Sequence, residues 1–215
     1  MKKLKKIDVE QLNIVDENGT VRLKLFNNQN IPPVIMDGED ALPDHRQSEP
    51  IAGMMFYNAE GDEAGGLIFG SQKDKDGNYV SGGSLTFDQY KQDQVVQMEH
   101  YEENGKKNYG FSIYDRPNTN LREDIIKDQD IRDSNKSEEE KNQELNELWK
   151  GNVRRAFMGK NVDGDVMVQL SDSKGQPRIR MVVDQYDIPR IEFLDGEGNV
   201  LYKLPPEEWV ASFKC

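Results

Sequence analysis

The sequence predicts an all-β chain, mainly an antiparallel meander of about a dozen strands, barrel-like or propeller-like, with one charged helical insertion. Three observations predict it. Short runs of β-branched and aromatic residues alternate with polar ones at period two, as Val21, Leu23 and Leu25 do with Arg22 and Lys24. Turn clusters such as Glu60-Gly61, Asp76-Gly77-Asn78 and Asn104-Gly105 break these runs every ~10–12 residues. Near the C-terminus the chain almost repeats itself: Pro177-Arg178-Ile179 returns as Pro189-Arg190-Ile191, with Asp172, Asp184 and Asp195 recurring at a spacing of about twelve.

The elements follow in order. "MKKLKKIDVE" opens with a basic run but lacks the apolar core of a secretory signal, and no stretch reaches the length of a membrane span. The expectation is a soluble, cytoplasmic chain, or one trimmed of its export signal. Leu12 and Ile14, then Val21, Leu23 and Leu25, make a first hairpin in which Asn18-Gly19 supplies the positive backbone angles of a tight turn. Residues 28–50 carry Pro32, Pro33, Pro43 and Pro50, which exclude a central strand and leave a loop with one short edge strand at 34–36. Short aromatic and β-branched runs then continue the meander. Gly65-Gly66 and Gly82-Gly83, at strand starts, mark a bulge, a sharp bend or a close backbone approach.

From 118 to 151 the apolar spacing changes to three and four. Asn120 caps a short helix with Glu123 at its third position, and Ser137 with Glu140 matches a capping box. Leu145, Leu148 and Trp149 form one stripe of the second helix, which Gly151 is placed to end. This insertion separates two β halves of a single β-rich domain spanning 1–215. In the tail, 205–215, Trp209 and Phe213 would share the face of a last helical turn.

The repeat explains the strands physically. Asp16-x-x-Gly19-x-x-Arg22, Asp172-x-x-Gly175-x-x-Arg178 and Asp184-x-x-Asp187-x-x-Arg190 each precede an apolar strand. The Asp accepts from turn amides, Gly or Asp takes the left-handed position, and the solvent-facing Arg pairs back with the Asp. Ile179, Met181 and Val183, then Ile191 and Phe193, are expected to form a buried inner face. A lone hairpin is marginal, so such units must stack or close. A barrel or barrel-like meander comes first; a propeller-like array, packed sheets, or a prism whose core is completed only in an oligomer are the alternatives.

Composition narrows the chemistry. A net charge of −12 repels phosphate backbones and disfavours nucleic acid as a partner. One cysteine, Cys215, excludes an internal disulfide and a cysteine-based zinc cage. Neither a P-loop, a dinucleotide fingerprint nor a nucleophile elbow is present, so no cofactor is expected. His45 reads as a solvated loop residue. His100 alternates with Val96 and Met98 and is expected to be buried and hydrogen-bonded, with a catalytic or metal-binding role as the alternative.

Asp74, Asp76 and Asn78, like Asn161, Asp163 and Asp165, offer oxygens at alternate positions that calcium could use, but neither stretch completes a calcium loop, and acidic turns are the plainer reading. Asp88 and Asp115 are strand-end carboxylates among aromatics. A hydrolase acting on a sugar-like substrate would need them ~5–10 Å apart across one cleft. Leu145, Leu148, Trp149 and Trp209 are candidate partner-binding residues if the helical stripe is left unpacked. The leading expectation is a non-enzymatic module that binds a protein or small ligand or acts as a scaffold. The carboxylate-dependent hydrolase and an oligomeric structural protein built from hairpin repeats are the alternatives.

Overall fold

The computed structural model describes residues 5–206, so Trp209, Phe213, Cys215 and the helical turn expected of the tail lie outside the described residues. The strands are β1 (Gln11–Val15), β2 (Val21–Phe26), β3 (Ile35–Met36), β4 (Glu39–Asp40), β5 (Ile51–Tyr57), β6 (Glu63–Lys73) and β7 (Tyr79–Asp88). They continue as β8 (Gln94–Glu103), β9 (Lys106–Asp115), β10 (Val153–Lys160), β11 (Val166–Ser171), β12 (Pro177–Val183), β13 (Pro189–Leu194) and β14 (Val200–Leu204). Between β9 and β10 lie the helices α1 (Leu121–Asp133) and α2 (Glu138–Leu148).

Twelve strands form one antiparallel sheet in the order β1-β2-β5-β6-β7-β8-β9-β10-β11-β12-β13-β14, a meander throughout. It is open. β1 and β14 are its two edges and do not pair with each other, so the barrel-like closure expected from the repeats gives way to an extended sheet. The small β3-β4 hairpin stands apart from it.

One turn design recurs along the meander. The side chain of Asp16, Asn58, Asp74, Asn161, Asp172, Asp184 or Asp195 accepts from the backbone N–H groups two and four residues on, at 2.8–3.1 Å. The residue three on has a positive φ, as at Gly19 (85°) and Asp187 (62°). In the first hairpin Gly19 alone takes that conformation, and a register shift follows Ile14, so the expected two-residue Asn-Gly turn is a longer loop with a bulge. The Arg partners also appear: Arg190 reaches Asp184 at 2.8 Å and Arg178 reaches Asp172 at 3.5 Å. Arg178 Nε adds a hydrogen bond to the Leu194 carbonyl of the next hairpin at 3.0 Å.

The sheet has two unlike faces. On the polar face, residues 27–50 and the helices cover the N-terminal strands. Phe26, Ile31, Met55 and Tyr57 form one buried cluster there, and Val34, Met36 and Ala41 pack with Leu121 and Ile125 of α1 in another. Arg46 pins the Pro-rich loop. Its Nε donates to the Pro32 carbonyl (2.8 Å), and its terminal nitrogens grip both Glu63 oxygens at 3.0 and 2.6 Å. Lys91 ties the layer down beside it, against Asp37, Glu60 (3.0 Å) and the buried Asp62 (3.5 Å). Toward β14 the same face is roofed by its own long side chains, with Arg180–Glu192 at 2.9 Å and Arg190–Glu192 at 3.1 Å.

The helices begin where the caps place them. Asn120 accepts from the Arg122 N–H, and Ser137 with Glu140 completes a capping box. Trp149 is the C-cap of α2, and its Nε1 donates to Asp128 of α1 at 2.6 Å.

Candidate functional site

The other face of the sheet carries no covering layer among the described residues. Register partners in an antiparallel sheet point to the same side. Followed from strand to strand, one register row reads Leu12, Leu25, Met54, Leu67, Leu85, Met98, Phe111, Met158, Val168, Met181, Ile191 and Leu204. Every strand of the sheet contributes, and every contribution is apolar. The next row on that side reads Ile14, Leu23, Phe56, Gly65, Phe87, Val96, Ile113, Ala156, Leu170, Ile179, Phe193 and Tyr202. Phe56 enters it across a register irregularity, stacking on Phe87 with ring centroids 6.1 Å apart over the bare backbone of Gly65. A Cβ at Gly65 would meet the Thr86 carbonyl oxygen at 2.3 Å, the close approach its place at a strand start implied.

Neither row holds a charged residue. A third, shorter row holds Phe69, Gly83, His100, Tyr109, Lys160, Val166 and Val183. At a strand spacing of ~4.8 Å the apolar band runs about 50 Å across the sheet. Its side chains stand in the open: Met98 and Met158 are each 57% exposed, Met181 48% and Phe193 40%. The inner face expected to be buried, Met181, Val183 and Phe193 included, is therefore apolar as read but uncovered among the described residues. A shallow trough of about 750 Å³ follows the band past Leu67, Leu85, Met98, Phe111 and Met158.

A smaller cleft of about 400 Å³ lies on the polar face, between the Pro-rich loop, the end of β7 and the helices. His45, Arg46, Glu63, Asp88, Gln92, Asp93 and Trp149 line it. Burial, then the nearby Glu63 and Asp93 carboxylates, push the Asp88 carboxyl up to about 7, against the pull of Arg116 and Arg46. Burial likewise raises the Tyr57 phenol to about 12.

The structure does not bring Asp88 and Asp115 together. Asp88 opens onto the polar cleft, while Asp115, two residues beyond Ile113 of the apolar face, is exposed and paired with Arg155. His100 shares the apolar face with Met98, as its alternation implied, but its side chain is 47% exposed and 3.8 Å from Glu102; the buried imidazole is corrected because no described residue covers that face. The Asp74, Asp76, Asn78 stretch is a turn: both Asp74 oxygens are taken by Asn78, one also by the Asp76 N–H. At the other stretch Asn161 accepts from Asp163 and Asp165, and Asp165 from the Gln185 N–H. No group of three or more His, Cys, Asp or Glu placed to hold a metal ion occurs among the described residues.

Leu145, Leu148 and Trp149 are half-buried in the helical layer, and Trp209 lies outside the described residues. Arg46 and Lys91, which hold that layer, had no sequence signal: their partners lie 17 and 54 residues away. No helix among the described residues is long and apolar enough to cross a membrane. Compared with protein-family models, with curated proteins and with solved structures, the chain matches none.

Proposed function

We propose that this chain is a non-enzymatic binding or scaffold module whose working surface is the apolar face of its sheet. The observation that carries the reading is the unbroken register row from Leu12 to Leu204, apolar on all twelve strands and left in water. The exposed apolar area is on the order of 1,000–1,500 Å², against ~300–600 Å² for the largest patch of a typical monomer. Leaving it solvated forgoes ~25 kcal/mol of gross transfer free energy, a large force for docking once a complementary apolar surface is at hand. The charge is kept off the two central rows, as it is from the cores of protein interfaces.

Methionine oxidation tests the reading. Met98, Met158 and Met181 lie on the face, whereas Met36 and Met55 are buried beneath the loop layer at 2% and 4% exposure. In dilute purified protein, peroxide is expected to oxidise the face methionines several-fold faster than Met36. In the intact cells that make the chain, Met98 and Met158 are expected to be as slow as Met36. Face methionines that remain several-fold faster than Met36 in both settings would show that nothing docks there.

A further inference from the structure

The geometry points to a second copy of this chain as the occupant of the apolar face, packed sheet on sheet about a two-fold axis parallel to the strands. This rests on the face being a docking surface, and it names the partner.

Three features of the face favour it. The first is extent. The area offered exceeds the ~800 Å² per partner of a standard interface and lies in the range of permanent dimers. The second is openness. A small apolar ligand is held by a site that encloses most of its surface, and this band encloses nothing. Two such bands set face to face about 10 Å apart would each become the inner face of a sandwich.

The third is self-complementarity. An axis parallel to the strands sets the sheet's first strand over its twelfth, its second over its eleventh, and so inward, with each row over the same row. In the first row Met54 then meets Met181 of the second copy, and every other pairing joins two large apolar side chains. The second row has two small residues, Gly65 and Ala156. The same operation places Gly65 over Leu170 and Ala156 over Phe87, small against large in both cases. The net charge of −12 stays on turns, edges and outer faces, clear of the two rows that would meet.

Sedimentation of the full chain over about 1–100 μM is the first arm, and a dimer is expected. Met98→Glu, at an exposed position in the single chain, is expected to give a monomer with unchanged far-UV circular dichroism. In a Cys215→Ser background, a chain carrying both Leu67→Cys and Val168→Cys is expected to crosslink into dimers with a short bismaleimide. Leu67→Cys alone should not, because its own copy lies five strands away, ~24 Å. A dimer indifferent to Met98→Glu, or one that crosslinks equally through Leu67→Cys alone, overturns the arrangement. A chain that stays monomeric while its face methionines are protected in cells overturns the second copy but leaves the docking surface standing. A monomer with unprotected methionines overturns both.

Discussion

Asp88 is a carboxyl pressed into a cleft beside Glu63 and Asp93, and burial and these neighbours push it up from 3.8 to about 7. An acid whose folded pKa is raised binds its proton more tightly in the folded state. Its contribution to stability is complete below about pH 4 and is lost as the pH rises through about 7. Asp88→Asn, which keeps a neutral group there, is expected to match the parent chain at pH 4 and to exceed it at pH 8 by on the order of 2 kcal/mol. Urea midpoints at the two pH values measure this, and an equal offset at both would show that the carboxyl is not held neutral. The turn carboxyls Asp172 and Asp184 behave in the opposite sense. Turn amides, with help from Arg178 and Arg190, hold them below their ordinary value, so their contribution is present above that value and lost in acid.

At the scale of the element, the hairpin turn is the most legible part of the molecule. Its chemistry is local: an Asx side chain, two amides and a left-handed residue all lie within five positions, as at Asp172 to Gln176. Asp16, Asp172 and Asp184 were readable for that reason. Asn161 follows the same rule, although its neighbours Asp163 and Asp165 also resembled calcium ligands. The covering layer was not legible. It is held by Arg46 on Glu63 and by Lys91 on Asp37, pairs that no short window contains. Gly19 tests the turn. A Cβ there meets nothing within 4 Å, so Gly19→Val is opposed by the backbone alone, at a φ of 85°. The expected cost is ~1–2 kcal/mol in thermal or urea unfolding. No change would mean that the loop moves freely into another turn type.

At the scale of the whole molecule, period two tells which face wants burial but not what buries it. Ile179, Met181, Ile191 and Phe193 have the pattern of a core, and the described residues give them no second layer. Closure into a barrel would have supplied one; the loop and helices instead lie on the opposite face, and β1 and β14 stay apart. The result is a sheet of uneven thickness. β5 to β7 are backed by the Pro-rich loop and α1, whereas among the described residues β12 to β14 are backed by their own Arg and Glu side chains. Because each strand of the large sheet pairs only with the sheet strands before and after it in the chain, opening can proceed from the thin end without disturbing the rest. Amide hydrogen exchange in dilute protein is therefore expected to be fastest, among the strands, in β13 and β14 and slowest in β5 and β6. Raising the concentration should slow β12 to β14 most, since a second apolar face would give those strands their first covering layer. Exchange that is uniform along the sheet, or independent of concentration in β12 to β14, would mean that the thin end is stabilised by its charged side chains alone and that association adds nothing to it.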